Sequence, residues 1–235
     1  MSTKYKMVVE ELEKEIVEGL YNENKKLPTE DELMRKFEVS RNTIRKAVEI
    51  LVSQGYVYQV QGSGIFIREF QKPGCITLST MSGLTKTFPQ DILKSELLEL
   101  KVIEATEWLI KKMKCSSDTK IYYVKRLRYV NDEPFVIEES YFSKDIIPYL
   151  NEDICNESIY RYIMEDLKLK IGFADKIISC DRLNQEDAAL LGINENDPTL
   201  IIENTVYLNT GMVFDVSREK YLYSKAKLLS LSTLS

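Results

Sequence analysis

Apolar residues recur at helical spacing through the N-terminal part of the chain and then give way to alternation. Val8, Val9, Leu12, Ile16 and Leu20 form one apolar stripe among acids and Lys14, which predicts a helix over residues 5–20. A polar loop follows as far as Leu27-Pro28, where the proline disfavours helix at the residue before it. Thr29 and Glu32 have the spacing of a capping box and predict a second helix over residues 30–37. Glu38-Val39 leaves room only for a turn. Ser40 then caps a third helix with the stripe Ile44, Ala47, Val48 and Leu51, and Gly55 stands where a left-handed C-terminal cap belongs. Residues 56–60 and 65–67 read as short strands, joined by Gln61-Gly62-Ser63-Gly64 as a hairpin tip.

Beyond this ribbon the pattern changes. Glu69-Phe70-Gln71-Lys72-Pro73-Gly74 is charged and then broken by Pro-Gly, a natural linker. It divides the chain into a domain over residues 1–69, a linker over 70–74 and a second domain over 75–235. In the second domain, strands are expected at 76–80, 97–103, 121–130, 135–142, 174–183, 200–208 and 213–223. Helices are expected at 107–113, 159–167 and 185–191, the last capped by Asn184. Asn131-Asp132-Glu133-Pro134 and Asn209-Thr210-Gly211 are short polar turns, so pairing is mainly antiparallel. The expected architecture is α+β, an antiparallel sheet with helices on one side.

Helix, tight turn, helix and a glycine-tipped ribbon make a winged helix-turn-helix. Arg41, Asn42, Thr43 and Arg45 crowd the start of its second motif helix, on the side away from the apolar stripe. A helix presented N-terminus first to a major groove carries such donors to phosphates and base edges. Arg reaches guanine in a bidentate way, whereas the Ser40 and Thr43 hydroxyls and free amides suit phosphate. An isolated arginine pair would read as ordinary solvated surface. The capped helix before it and the ribbon after it turn the reading to double-stranded DNA.

Composition sharpens this picture. The 235-residue chain has a net charge of −5, which argues against non-specific nucleic-acid affinity as its main business. Between Leu33 and Arg68, however, basic residues outnumber acids, so positive charge is placed locally on the expected DNA face. The chain contains no histidine, which removes Ser-His and Cys-His catalysis and the commonest zinc ligand. Cys75, Cys115, Cys155 and Cys180 are far apart in sequence and read as reduced thiols. No apolar run approaches the ~20 residues of a membrane span. A cytoplasmic protein without metal or cofactor is expected.

In the second domain the sharpest chemical signal is the alternating stretch from Ile121 to Tyr129. Arg126 and Arg128 share one strand face with Tyr122 and Val124. Two neighbouring guanidiniums repel unless an anion or acid lies between them, and their fork geometry suits phosphate. A solvent-facing pair bridged to Glu138 or Glu139 is the other reading. Glu138 can bind sugar hydroxyls or make that cross-strand bridge. Ser158 can cap the helix it opens, and its hydroxyl can also face a ligand. Asp215, Ser217, Tyr221 and Tyr223 share a face by period two, and Ser82-Gly83-Leu84-Thr85 reads as a loop of free amides able to cradle phosphate.

Residues 27–67 resemble the GntR family of bacterial transcription regulators, whose motif reads close to LPSExxLAxxFxVSRxTVRxALxxLxxxGxxxxxxGxGxFV. The resemblance implies DNA contacts from Arg35, Ser40, Arg41, Asn42, Thr43, Arg45 and the wing tip Gln61, Gly62 and Ser63. In the family the wing is usually basic; here Gln59, Gln61 and Ser63 hold those positions. KRLRY, EPFVIEESYF, ESIYRYI and VFDVSREKYLY resemble the UTRA effector domain of the HutC branch of that family. This similarity implies a six-stranded antiparallel sheet like that of chorismate lyase, and a homodimer formed partly through the effector domains. It further implies that Arg126, Arg128, Ser82, Gly83, Leu84, Thr85, Ser158 and Tyr160 hold phosphate, while Glu138, Asp215 and Tyr221 read a sugar. Asp215 stands where the family usually has Glu, and Tyr223-Ser224-Lys225 replaces its usual Gly-Asp-Arg.

The expected function is an effector-responsive regulator, a repressor released by a sugar phosphate. Two other classes compete with it. A winged-helix architectural or replication protein would respond to no ligand and would have no need of Arg126 and Arg128 together. A lyase-like enzyme would need a nucleophile or base that the sequence does not display.

Overall fold

A computed structural model of the protein describes residues 4–68, 74–78, 88 and 92–230. They form two compact units, one from residues 4–68 with 229–230 and one from the described residues of 74–228. The expected linker residues 70–73, the cradle Ser82, Gly83, Leu84 and Thr85, and the end of the strand expected at 76–80 lie outside the described residues.

The first unit contains α1 (Lys4–Val17), α2 (Glu30–Phe37), α3 (Arg41–Ser53), β1 (Val57–Val60) and β2 (Gly64–Ile67). Its core joins Val8, Leu12 and Ile16 of α1 to Leu33 of α2 and Ile44, Ala47, Val48 and Leu51 of α3. Burying each such side chain contributes roughly 1.5–3 kcal/mol relative to exposure. The capping box forms, with Glu32 accepting from the Thr29 N–H at 2.8 Å. At the far end of α3, Tyr56 N–H donates to the Leu51 carbonyl and Gly55 N–H to the Val52 carbonyl, the latter glycine at φ +80°. That pair of bonds satisfies two orphan carbonyls and turns the chain into β1. A similar pair around Gly19 ends α1 at Val17, earlier than the periodicity predicts, and leaves Leu20 exposed.

In the second unit, β3 (Ile76–Thr77) precedes a six-stranded sheet. Its strands are β4 (Leu93–Glu104), β5 (Lys120–Val130), β6 (Glu133–Ser143), β7 (Ile171–Arg182), β8 (Pro198–Leu208) and β9 (Val213–Leu222). The order is β4-β5-β6-β9-β8-β7, antiparallel throughout. Among the described residues four helical segments pack on it: α4 (Glu107–Met113), α5 (Glu152–Asn156), α6 (Ile159–Arg161, continued as a π-helical turn over Tyr162–Asp166) and α7 (Gln185–Leu191).

The expectation of helices on one side is corrected. α4 and α7 cover one face, against Ile121 and Val216 and against Leu127 and Ile137. α5 and α6 cover the other, where Cys155, Ile159 and Ile163 meet Val124, Phe142 and Phe214. With only five residues, α5 is too short to show a helical period. β9 also ends at Leu222, so Tyr223 lies in an exposed turn and not on the strand face expected for it. Among the described residues no helix is long and apolar enough to cross a membrane, and the four cysteines are free thiols.

Candidate functional site

The first cluster lies at the start of α3. Ser40 Oγ accepts from the Thr43 N–H at 3.3 Å and lies 2.9 Å from Thr43 Oγ1, which fixes the first turn. Behind it Ile44, Ala47 and Val48 are buried, so Arg41, Asn42 and Arg45 are left exposed and Thr43 half-buried. Arg35 of α2 is exposed too, its Nε donating to the Asp31 carbonyl at 3.2 Å. Arg41 pairs with Asp31, and Arg45 Nε donates to both carboxylate oxygens of Glu30 at 3.2 Å. Gln61, Gly62 and Ser63 form an exposed ribbon tip, with Gly62 at φ +75° and nothing near its missing Cβ. Tyr58 and Phe66 stack across the ribbon at 5.5 Å, and Lys26 lies over the Phe66 ring. A rigid helix start with exposed cationic forks beside a polar ribbon can grip a polyanion and read its edges.

The second cluster lies on the α5/α6 face of the sheet. Period-two alternation brings Val124, Arg126 and Arg128 of β5 to that face. In register beside them come Val136, Glu138, Ser140 and Phe142 of β6, then Asp215, Ser217, Glu219 and Tyr221 of β9. Asn204 of β8 and Lys176 of β7 extend the polar stripe. Arg126 is 4% exposed and donates through Nη2 to both Glu138 oxygens at 2.8 Å, and through Nη1 to the Cys155 carbonyl at 2.8 Å. Arg128 Nη1 reaches Glu138 Oε2 at 3.2 Å, and Ser140 Oγ reaches Oε1 at 3.3 Å. The arginines are therefore bridged to Glu138 as the competing reading required, but on a buried face, not a solvent-facing one. Glu139, the other acid considered, points to the opposite face and pairs with Lys220.

Further along the stripe, Tyr160 donates to Asp215 Oδ2 at 2.7 Å and Tyr221 donates to Glu219. Asn204 Nδ2 bridges Ser217 Oγ at 3.1 Å and Glu219 Oε1 at 3.2 Å. Burial alone would raise the Glu138 carboxyl, but Arg126 and Arg128 outweigh it and hold it at about 2. Burial pushes Asp215 up to about 8, against the Tyr160 hydrogen bond and with the Glu138 charge adding to it. Burial and then the Glu138 charge push Glu219 up to about 7. Arg126 Nε, Arg128 Nε and Asp215 Oδ1 are buried and have no hydrogen-bond partner among the described residues. Unpaired buried polar atoms are costly, and here two guanidinium donors and a carboxyl oxygen converge on one face. That arrangement suits a polyhydroxylated anion.

Six of the sequence-derived candidates thus meet: Arg126, Arg128, Glu138, Tyr160, Asp215 and Tyr221. Ser158 is exposed and caps α6 through the Arg161 N–H at 3.2 Å. The sequence reading passed over Ser140, Lys176, Asn204 and Glu219. Glu219 was the most accessible of these, since it lies between Ser217 and Tyr221 in the same period-two series.

Residues 4–67 match the family described as bacterial regulatory proteins, gntR family, and residues 90–227 match the UTRA domain. The uncharacterized HTH-type transcriptional regulator YydK of Bacillus subtilis is 39% identical over 226 residues, 96% of each chain. Its crystal structure superposes with a TM-score of 0.78 at 37% identity, covering 98% of this chain and all of that one. The HTH-type transcriptional repressor NagR of the same organism is 30% identical over 92% of this chain and 89% of its own. The effector-binding domain of the B. subtilis trehalose repressor TreR matches 60% of this chain and 99% of that one, with a TM-score of 0.55 and 25% identity. A GntR-type helix-turn-helix followed by a UTRA domain over most of the remaining chain places this protein in the GntR family of bacterial transcriptional regulators.

Proposed function

We propose that the protein is a repressor of sugar uptake or catabolism genes, released from its operator by a phosphorylated sugar. The observation that carries this is the pair of a buried Arg126 and a half-buried Arg128, whose Nε atoms are both buried and without a hydrogen-bond partner among the described residues. A phosphate dianion offers both forks the acceptors that one carboxylate supplies only in part. Glu138, Asp215 and Tyr221 face the sugar, Tyr160 holds the Asp215 carboxyl in place, and Ser158 keeps to its capping role at α6. The names of NagR and TreR, both repressors and one of them a trehalose repressor, support the reading. The effector class is a phosphorylated glucoside, disaccharide or amino sugar.

The regulator acts in the cytoplasm as a homodimer. Two α3 starts enter successive major grooves of a near-palindromic operator, and effector binding changes the relative pose of the two heads. By linkage, operator DNA weakens effector binding by the factor with which effector weakens DNA binding.

Fluorescence anisotropy on DNA from the protein's own promoter region tests this, titrating sugars and their 6-phosphates at fixed salt. Release by a 6-phosphate and not by its free sugar is expected, and Arg126→Ala, assayed below the melting temperature measured for the variant, should bind DNA yet give no release. Tight binding that no sugar phosphate alters overturns the effector assignment and leaves the DNA assignment standing.

A further inference from the structure

Helix α2 opens with three consecutive acids, Glu30, Asp31 and Glu32. Glu32 is accounted for, since it closes the capping box with Thr29. Negative charge in a first turn is favourable on dipole grounds alone, and a purely solvated pair would satisfy that. Glu30 and Asp31 are not solvated in that way. Their side chains cross to α3, Asp31 to Arg41 and Glu30 to Arg45, the two exposed guanidiniums that the proposed function turns toward DNA. Exposed ion pairs of this kind contribute little to stability. Their consequence lies in what happens when a duplex arrives.

A phosphate contact by Arg41 or Arg45 either displaces the carboxylate or sets a second anion beside it, and both outcomes weaken the contact. A base-edge contact does neither. Each guanidinium has five N–H donors in a rigid plane, and Arg45 commits Nε to Glu30 while Arg41 commits Nη2 to Asp31. The remaining donors are free for the paired acceptors of a guanine, and the carboxylate fixes the plane in which they are offered. We propose that Asp31 and Glu30 are specificity-determining positioning residues: they hold Arg41 and Arg45 for base readout and weaken their grip on phosphate. This rests on the placement of α3 in the major groove proposed above and is independent of the effector reading.

The test uses the full chain carrying Asp31→Asn, Glu30→Gln or both, with Glu10→Gln on the exposed side of α1 as a charge control. Anisotropy is measured across a salt series on a duplex selected from a random pool by the unmodified protein, and on a scrambled duplex of equal composition. The double variant should bind scrambled DNA about tenfold more tightly. Its log K against log salt slope on that DNA should steepen by about 1–2, as one or two new phosphate contacts require. The selected duplex should gain much less, so the specificity ratio falls. In an Arg41→Ala background, Asp31→Asn should lose its effect. Equal tightening on both duplexes, no change on either, or the same result from Glu10→Gln overturns the proposal. Circular dichroism should be unchanged and melting lowered only slightly, because neither side chain takes part in the cap and only the first-turn charge is lost.

Discussion

Arg126 and Glu138 are directly opposed Cα partners on β5 and β6, and the guanidinium closes on both carboxylate oxygens at 2.8 Å. Both side chains are largely removed from water, so this is a buried pair and not a surface contact. Removing one partner leaves an uncompensated charge inside the sheet face. Glu138→Gln should therefore destabilise the effector domain by roughly 3–5 kcal/mol, read by denaturant unfolding. Glu138 titrates well below its unfolded range, so its contribution is fully present above about pH 4.5 and is lost as pH falls toward about 2. The variant's stability should vary less than the unmodified protein's across that acid window. A neutral effect of the substitution would mean that the two arginines are supported by other groups.

Asp215 and Glu219 behave in the opposite sense. Both carboxyls are raised, to about 8 and about 7, mainly by burial. A raised carboxyl binds its proton more tightly in the fold than in the unfolded chain, so its contribution is fully present at low pH. It declines as pH rises from the ordinary carboxylate range through 7 and 8. Asp215→Asn and Glu219→Gln keep the acceptor oxygens for Tyr160 and Tyr221 and abolish this decline. Each should raise Tm at pH 8 more than at pH 5, by roughly 2–4 °C for every kcal/mol recovered. Equal shifts at both pH values would assign the effect to packing.

The winged helix was legible because each of its signals is local. Thr29 with Glu32, Ser40 with Thr43 and Gly55 each declare an element boundary within a few residues. The second domain was legible in its strands and in Arg126, Arg128, Asp215 and Tyr221, because alternation assigns faces without knowledge of neighbours. What alternation does not give is which face the helices cover, nor which strands lie side by side. Asn204 and Lys176 entered the polar stripe only through the pairing of β8 with β9 and of β7 with β8. The Glu138 bridge to both arginines likewise needed the register of β5 on β6 to be chosen over a ligand-only role.

Gly172 gives a prediction from geometry alone. It lies at the bulge between Ile171 and Phe173 on β7, where a Cβ would come within 2.9 Å of the Asn209 Cα and the Leu208 carbonyl oxygen. Both are backbone atoms of the facing hairpin and cannot rotate away. Gly172→Ala should cost about 1–3 kcal/mol by forcing the β7 end off β8. Hydrogen exchange should localise the loss to residues 171–174 and 206–209, and uniform loosening of the sheet would contradict the assignment.

Arg41 and Ser40 are adjacent, yet their substitutions should separate stability from recognition. Ser40→Ala removes the acceptor for the Thr43 N–H and frees the first turn of α3, at a cost of about 1 kcal/mol in the stability of the winged helix. Arg41 is exposed and its ion pair with Asp31 is screened, so Arg41→Ala should leave melting within experimental scatter. On a duplex selected by the unmodified protein, Arg41→Ala should weaken binding by about 1–3 kcal/mol if it reads a base pair, with the loss concentrated at one position of the site. A loss spread uniformly over all duplexes, with a salt slope shallower by about 1, would make Arg41 a phosphate contact instead. The two outcomes are separable in one salt series, because a base contact leaves the slope unchanged and a phosphate contact does not.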